Sequence, residues 1–105
     1  MAADELHVGD TPTLTFTVYD GTTAVNLSGA TTKTLYMEHP GGTVTTHTLT
    51  FPSGSDGTDG QVEYTCSTSD LSTAGVVKMQ GYFAWADGSA WHTDLEKPVV
   101  YPNLA

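Results

Sequence analysis

Apolar and polar residues alternate along most of the chain with the two-residue period of β-strands. Thr13-Leu14-Thr15-Phe16-Thr17-Val18-Tyr19 is the cleanest run: Leu14, Phe16 and Val18 fall on one face, the threonines and Tyr19 on the other. A turn signal, Asp20-Gly21-Thr22-Thr23, follows. Ala24-Val25-Asn26-Leu27 is then long enough only for an edge or bridging strand, with Leu27 aimed at the core. Residues 33–38 alternate again, Leu35 and Met37 opposing Thr34, Tyr36 and Glu38, until His39-Pro40-Gly41-Gly42 turns the chain into a hairpin. In the returning run 44–51, Thr45, His47, Leu49 and Phe51 share one parity. Only its second half is expected to be buried, so it reads as an edge strand.

The stretch 52–60 holds three Gly and no large apolar residue, and is expected to be the most mobile loop. Gln61-Val62-Glu63-Tyr64-Thr65-Cys66 alternates with Val62, Tyr64 and Cys66 inward. Residues 69–75 have a capping-type start and a Gly stop, enough for a short crossover helix at most, with Leu71 closing one end of the core. The last two runs, 75–85 and 90–101, form a hairpin. With Ala86-Asp87-Gly88 as a three-residue loop and Gly88 left-handed, Phe83 faces Trp91 and Met79 faces Leu95 on the buried side. Lys78 with Glu96, Gln80 with Asp94 and Tyr82 with His92 then pair on the outer side. A two-residue Asp-Gly loop would put His92 and Asp94 on the apolar face and is rejected. In the accepted register Trp85 and Trp91 point inward.

Composition supports this reading. The 105 residues suit one domain, Thr is the most abundant residue, and only 14% of residues are charged, a mixture that fits strands and turns. Twelve acidic residues against three Lys give a formal charge of −9, which repels nucleic acid and anionic lipid and steers a basic protein partner instead. The lone Cys66 excludes an intrachain disulfide. No signal-like start and no long apolar run is present, so neither secretion nor a membrane span is expected.

Candidate chemistry is sparse. Cys66 has inward parity and reads as a small core residue. His7, His39, His47 and His92 have no metal-ligand spacing, and surface or turn roles explain them. Asp56 and Asp59 offer oxygen ligands of the kind calcium accepts, but the closing Glu of an EF-hand loop is missing, so a solvated hairpin is the favoured reading. No nucleophile–base–orienter arrangement and no phosphate loop is present, so neither enzyme activity nor a cofactor is expected.

Six motifs follow one another in order: Gly9-Asp10-Thr11 with the run 13–20, Leu27-Ser28-Gly29-Ala30-Thr31, Pro40-Gly41-Gly42, Gly60-Gln61-Val62-Glu63-Tyr64, Asp70-Leu71-Ser72-Thr73-Ala74-Gly75 and Ala86-Asp87-Gly88. Spread almost end to end, they resemble the immunoglobulin-like N-terminal domain of phage baseplate upper proteins, found also in other tail and structural proteins of tailed phages. The chain departs from that pattern at Val77, where similar domains often carry an aromatic. The resemblance implies an all-β, immunoglobulin-like Greek-key β-sandwich of about seven strands. With no long helical segment after it, the chain is expected to be that domain alone, with an arm at 1–10, the sandwich at 11–101 and a tail at 102–105.

The resemblance also implies a non-enzymatic structural protein of a virion, made in the host cytoplasm and docking as a tail or baseplate adaptor. A capsid decoration or head-fibre protein is the alternative, and a carbohydrate or host-surface binding module is one of another class, which would require Trp85, Trp91 or Tyr101 to face solvent. Partners would be other virion proteins, with repeated copies or a homo-oligomer in the particle. Sandwich edges are ready pairing sites, which makes 43–50 the candidate edge. The candidate interface residues are His39, Thr43 and Thr45, with the outer-face pair Tyr82 and His92. Residues 1–8 and 98–105 are expected to be extended arms that order against neighbours.

Overall fold

A computed structural model describes residues 6–103, with the backbone alone at Asp94 and Leu95. It is all-β, with no helix among the described residues. The strands are β1 (Leu6–His7), β2 (Thr13–Thr17), β3 (Tyr19–Asp20), β4 (Thr23–Ala24), β5 (Ala30–Glu38) and β6 (Val44–Thr48). They continue with β7 (Gln61–Thr65), β8 (Gly75–Val76), β9 (Lys78–Trp85), β10 (Ala90–Glu96) and β11 (Val99–Tyr101). The largest sheet has the order β10-β9-β5-β6, a second pairs β2 with β7, a third runs β1-β11-β8, and β3 and β4 make a small hairpin. These sheets enclose one core, an arrangement compatible with a β-sandwich.

The alternation places the core as expected. Leu14, Phe16 and Val18 are buried, as are Leu35 and Met37 on β5 and Leu27 in the loop before it. The run 13–19 divides at Val18: its amide continues the β2–β7 ladder to Gly60 O (2.9 Å), while its carbonyl accepts from Val25 N (2.9 Å) and starts the β3–β4 hairpin. Fully burying side chains such as Phe83, Leu49 and Leu71 stabilises the fold by roughly 1.5–3 kcal/mol each. These three have no exposed surface.

The C-terminal hairpin follows the three-residue loop. Gly88 has φ 91°, and Trp85 N donates to Ser89 O at 2.9 Å. Asp87 Oδ1 accepts from both the Ser89 amide and hydroxyl, which fixes the loop. Phe83 faces Trp91, Tyr82 faces His92 and Gln80 faces Asp94. Beyond Asp94 the register changes: β10 carries a bulge between Asp94 and Glu96, and Met79 faces Glu96 instead of Leu95. The extra residue shifts every later partner by one, so Lys78 is no longer opposite Glu96. It meets Glu38 on its other neighbour, β5, with Nζ 3.6 Å from the carboxylate. The side chain of Leu95 lies outside the described residues. The ribbon continues past the bulge through Val77 N to Pro98 O (3.0 Å) and the pair Val99–Val76, passing from the large sheet into the third. Val77, buried at that crossing, is a core residue without being aromatic.

Two further expectations change, at the arms and at the short helix. Leu6 is buried and β1 pairs in parallel with β11, so residues 6–8 and 99–101 belong to the body of the fold instead of to arms. Residues 1–5 of the expected arm, and 104–105 of the tail, lie outside the described residues. The loop 52–60 is anchored, Gly57 O accepting from Leu27 N (2.7 Å) and Gly60 O from Val18 N. No helix forms at 69–75; the chain makes only a turn at 67–70, the Asp70 amide donating to Ser67 O (3.1 Å) and its carboxylate accepting from Ser67 N.

Candidate functional site

Strand β6 ends the large sheet, and its two faces and free edge carry most of the polar chemistry. Its inward positions begin with two polar residues, Thr45 and His47, before the apolar Leu49. Polar side chains at inward parity require partners. Thr45 Oγ1 stands 2.8 Å from His39 Nε2 and 2.8 Å from His47 Nε2. His47 Nε2 is also 3.8 Å from Asp70 Oδ1, and its ring lies 4.7 Å from that of Tyr64. The other carboxylate oxygen of Asp70 accepts from Tyr64 OH (2.6 Å) and Ser67 N (2.7 Å).

Asp70 is 6% exposed, the one buried charged residue among those described. Burial pushes its carboxyl up, but the hydrogen bonds from Tyr64 and Ser67, together with His47, outweigh that and hold it below the usual carboxylate range. Burial and the hydrogen bond to Asp70 push the Tyr64 hydroxyl well above its ordinary value. Neighbouring Cys66 is buried, and burial followed by the Asp70 charge pushes its thiol up to about 11. That is the opposite of an activated nucleophile.

The arrangement also differs from a proton relay. In a Ser-His-Asp relay the imidazole uses one nitrogen for the hydroxyl and the other for the carboxylate. Here the same His47 nitrogen faces both Thr45 and Asp70. What the cluster does is hold β6 against the 67–70 turn and satisfy the polar groups behind the sheet edge.

That edge is open. The hydrogen-bonded pairs His39–Thr43 and Lys33–Leu49 set the odd residues of β6 toward β5. The amides and carbonyls of Val44, Thr46 and Thr48 therefore point away from the sheet. Among the described residues none of these groups has a backbone partner, whereas at Thr50 the same side is taken by Glu63 of β7, in bonds of 3.0 and 2.7 Å.

On the outer face, Tyr82 and His92 meet with ring centroids 4.5 Å apart. Of the candidate interface residues, these two are together, and Thr43 is exposed at the hairpin. His39 and Thr45 are half-buried and engaged in the cluster. Trp85 and Trp91 are half-buried and pack on the core, while Tyr101 is exposed with its ring 6.0 Å from His7. Asp56 and Asp59 each accept from their own loop, Asp56 from Thr58 and Asp59 from Ser55 and Gln61. No metal-sized group of three or more His, Cys, Asp or Glu converges among the described residues.

Sequence reasoning missed His47, Tyr64 and Asp70, which come from three separate segments. The available signal was the polar pair Thr45 and His47 at the parity of Leu49. Neither a scan against protein-family models nor a search of curated proteins found a match to this chain.

Proposed function

We propose that the chain is a non-enzymatic structural protein of a tailed-phage virion, an immunoglobulin-like Greek-key sandwich that docks as a tail or baseplate adaptor. The observation that carries this is the open edge of β6, three residues of outward-pointing backbone groups braced from behind by the His39–Thr45–His47–Asp70 cluster. Edges of this kind take an added strand from a partner through main-chain hydrogen bonds. The ordered series of six motifs resembling baseplate-protein domains supplies the virion context, and the charge of −9 favours a basic partner surface.

The polar cluster supports the non-enzymatic part of the reading, since its groups are engaged with one another and its thiol is held protonated. Packing of Trp85 and Trp91 on the core weighs against a sugar-stacking platform built on those rings. The test is fractionation of purified particles. The chain is expected at a fixed stoichiometry to the major capsid protein, with labelled antibody on the tail. Label on the shell would move the assignment to capsid decoration or a head fibre, and absence from all particle fractions would overturn it.

A further inference from the structure

The outer face of the large sheet is not flat. A depression of about 500 Å³ lies across β5, β6, β9 and β10, within the size range of small-ligand and peptide pockets. Tyr36 and Gln80 line its middle, Val44 and His92 its two sides, and Lys78, Lys97 and the Glu38 carboxylate its end. The chain has only three lysines and no arginine, so two of its three permanent cations meet here, on a molecule of formal charge −9.

The bulge in β10 brings this about, since it takes the register away from Lys78–Glu96 before the chain reaches Lys97. Lys78 is partly matched by Glu38 at 3.6 Å, an exposed pair, whereas Lys97 has no counter-ion among the described residues. The Tyr36 hydroxyl and the Gln80 amide likewise have no protein partner among the described residues. The groove thus offers one net positive charge, two uncommitted hydrogen-bonding groups and an exposed apolar wall at Val44.

We propose that this groove binds a carboxylate-bearing peptide segment of a partner protein. Lys97 and Lys78 meet the carboxylate, while Gln80 and Tyr36 meet the peptide groups beside it. A neutral sugar would leave the lysines unused. The inference stands on the groove's side chains and does not depend on the virion reading, although Val44 belongs both to the groove and to the β6 edge.

The test is an amide chemical-shift titration of the full chain with acetylated, amidated tetraglutamate, with tetraglutamine of the same length as the neutral control. At about 0.15 M salt the Debye length, near 8 Å, screens the net charge but not contact pairs. Tetraglutamate is expected to shift Gln80, His92 and Lys97 saturably, and tetraglutamine is expected to leave them unmoved. Lys78→Gln and Lys97→Gln each weaken binding about fivefold, the scale of one exposed charge pair. Lys33→Gln, which removes the lysine lying over Phe51, leaves binding unchanged. Unchanged amide spectra away from the substitution show that each variant is folded. No saturable shift with tetraglutamate, equal weakening by Lys33→Gln, or equal displacement by inorganic phosphate would overturn the proposal.

Discussion

Replacing Asp70 by Asn isolates the charge at the centre of the cluster while keeping its shape. The amide oxygen can take the position that accepts from Tyr64 OH at 2.6 Å and Ser67 N at 2.7 Å, so both bonds survive without the charge. A bond to a charged group contributes about 1.5–3 kcal/mol and a neutral one about 0.5–1.5, so two such conversions cost up to about 2 kcal/mol, less what is regained by no longer burying a charge. With a urea slope of about 1–2 kcal/mol/M for a domain of this size, the unfolding midpoint falls by up to about 1 M. Trp85 and Trp91, both packed on the core, supply the fluorescence signal. Because the folded state holds the Asp70 carboxyl below its unfolded value, the charge contributes fully above the ordinary carboxylate pKa of about 4. That contribution is lost as pH falls through the folded value. Wild type and Asp70→Asn should therefore differ at pH 7 and converge in strong acid. A midpoint difference below about 0.3 M at neutral pH, or an equal difference in acid, would refute the reasoning.

Two glycines with similar backbone angles should respond differently to alanine. At Gly60 a Cβ would stand 2.9 Å from both Val18 O and Val25 O, backbone atoms that cannot step aside, whereas at Gly88 it would meet open space. Gly88→Ala should cost about 1–2 kcal/mol for its left-handed backbone and Gly60→Ala well beyond that; equal costs in urea titration would contradict the packing described. With its thiol pushed up to about 11, Cys66 should resist Ellman's reagent at pH 7 in the native protein and react only as the chain unfolds. Rapid labelling under native conditions would show that the thiol is accessible.

Much of the strand layout was legible because the two-residue period survives wherever one face is buried, as at Leu14–Phe16, Leu35–Met37 and Met79–Phe83. The loop chemistry of Ala86-Asp87-Gly88 also set five residues of pairing beyond the turn. It failed at Leu95, since a bulge adds one residue to one strand and leaves no mark on the alternation. The capping-type signal at 69–75 produced a single turn in place of a helix, its Asp70 carboxylate held by Ser67 N and the Tyr64 hydroxyl. The site was less legible than the fold. Asp70 lies 23 residues from His47, and nothing local signals that the two side chains meet across the core (70 − 47). Only the polar pair at the inward parity of β6 required an unseen partner.

The proposed docking edge can be blocked without touching the core. The Thr46 amide points away from β5, so Thr46→Pro removes a donor used by no ladder bond in the monomer while preventing strand addition. The decisive measurement is incorporation of this variant into particles when it replaces the wild-type chain, scored against major capsid protein, alongside its urea midpoint. The account predicts a midpoint close to wild type and loss of the chain from particles. A folded Thr46→Pro chain incorporated at wild-type stoichiometry would contradict it.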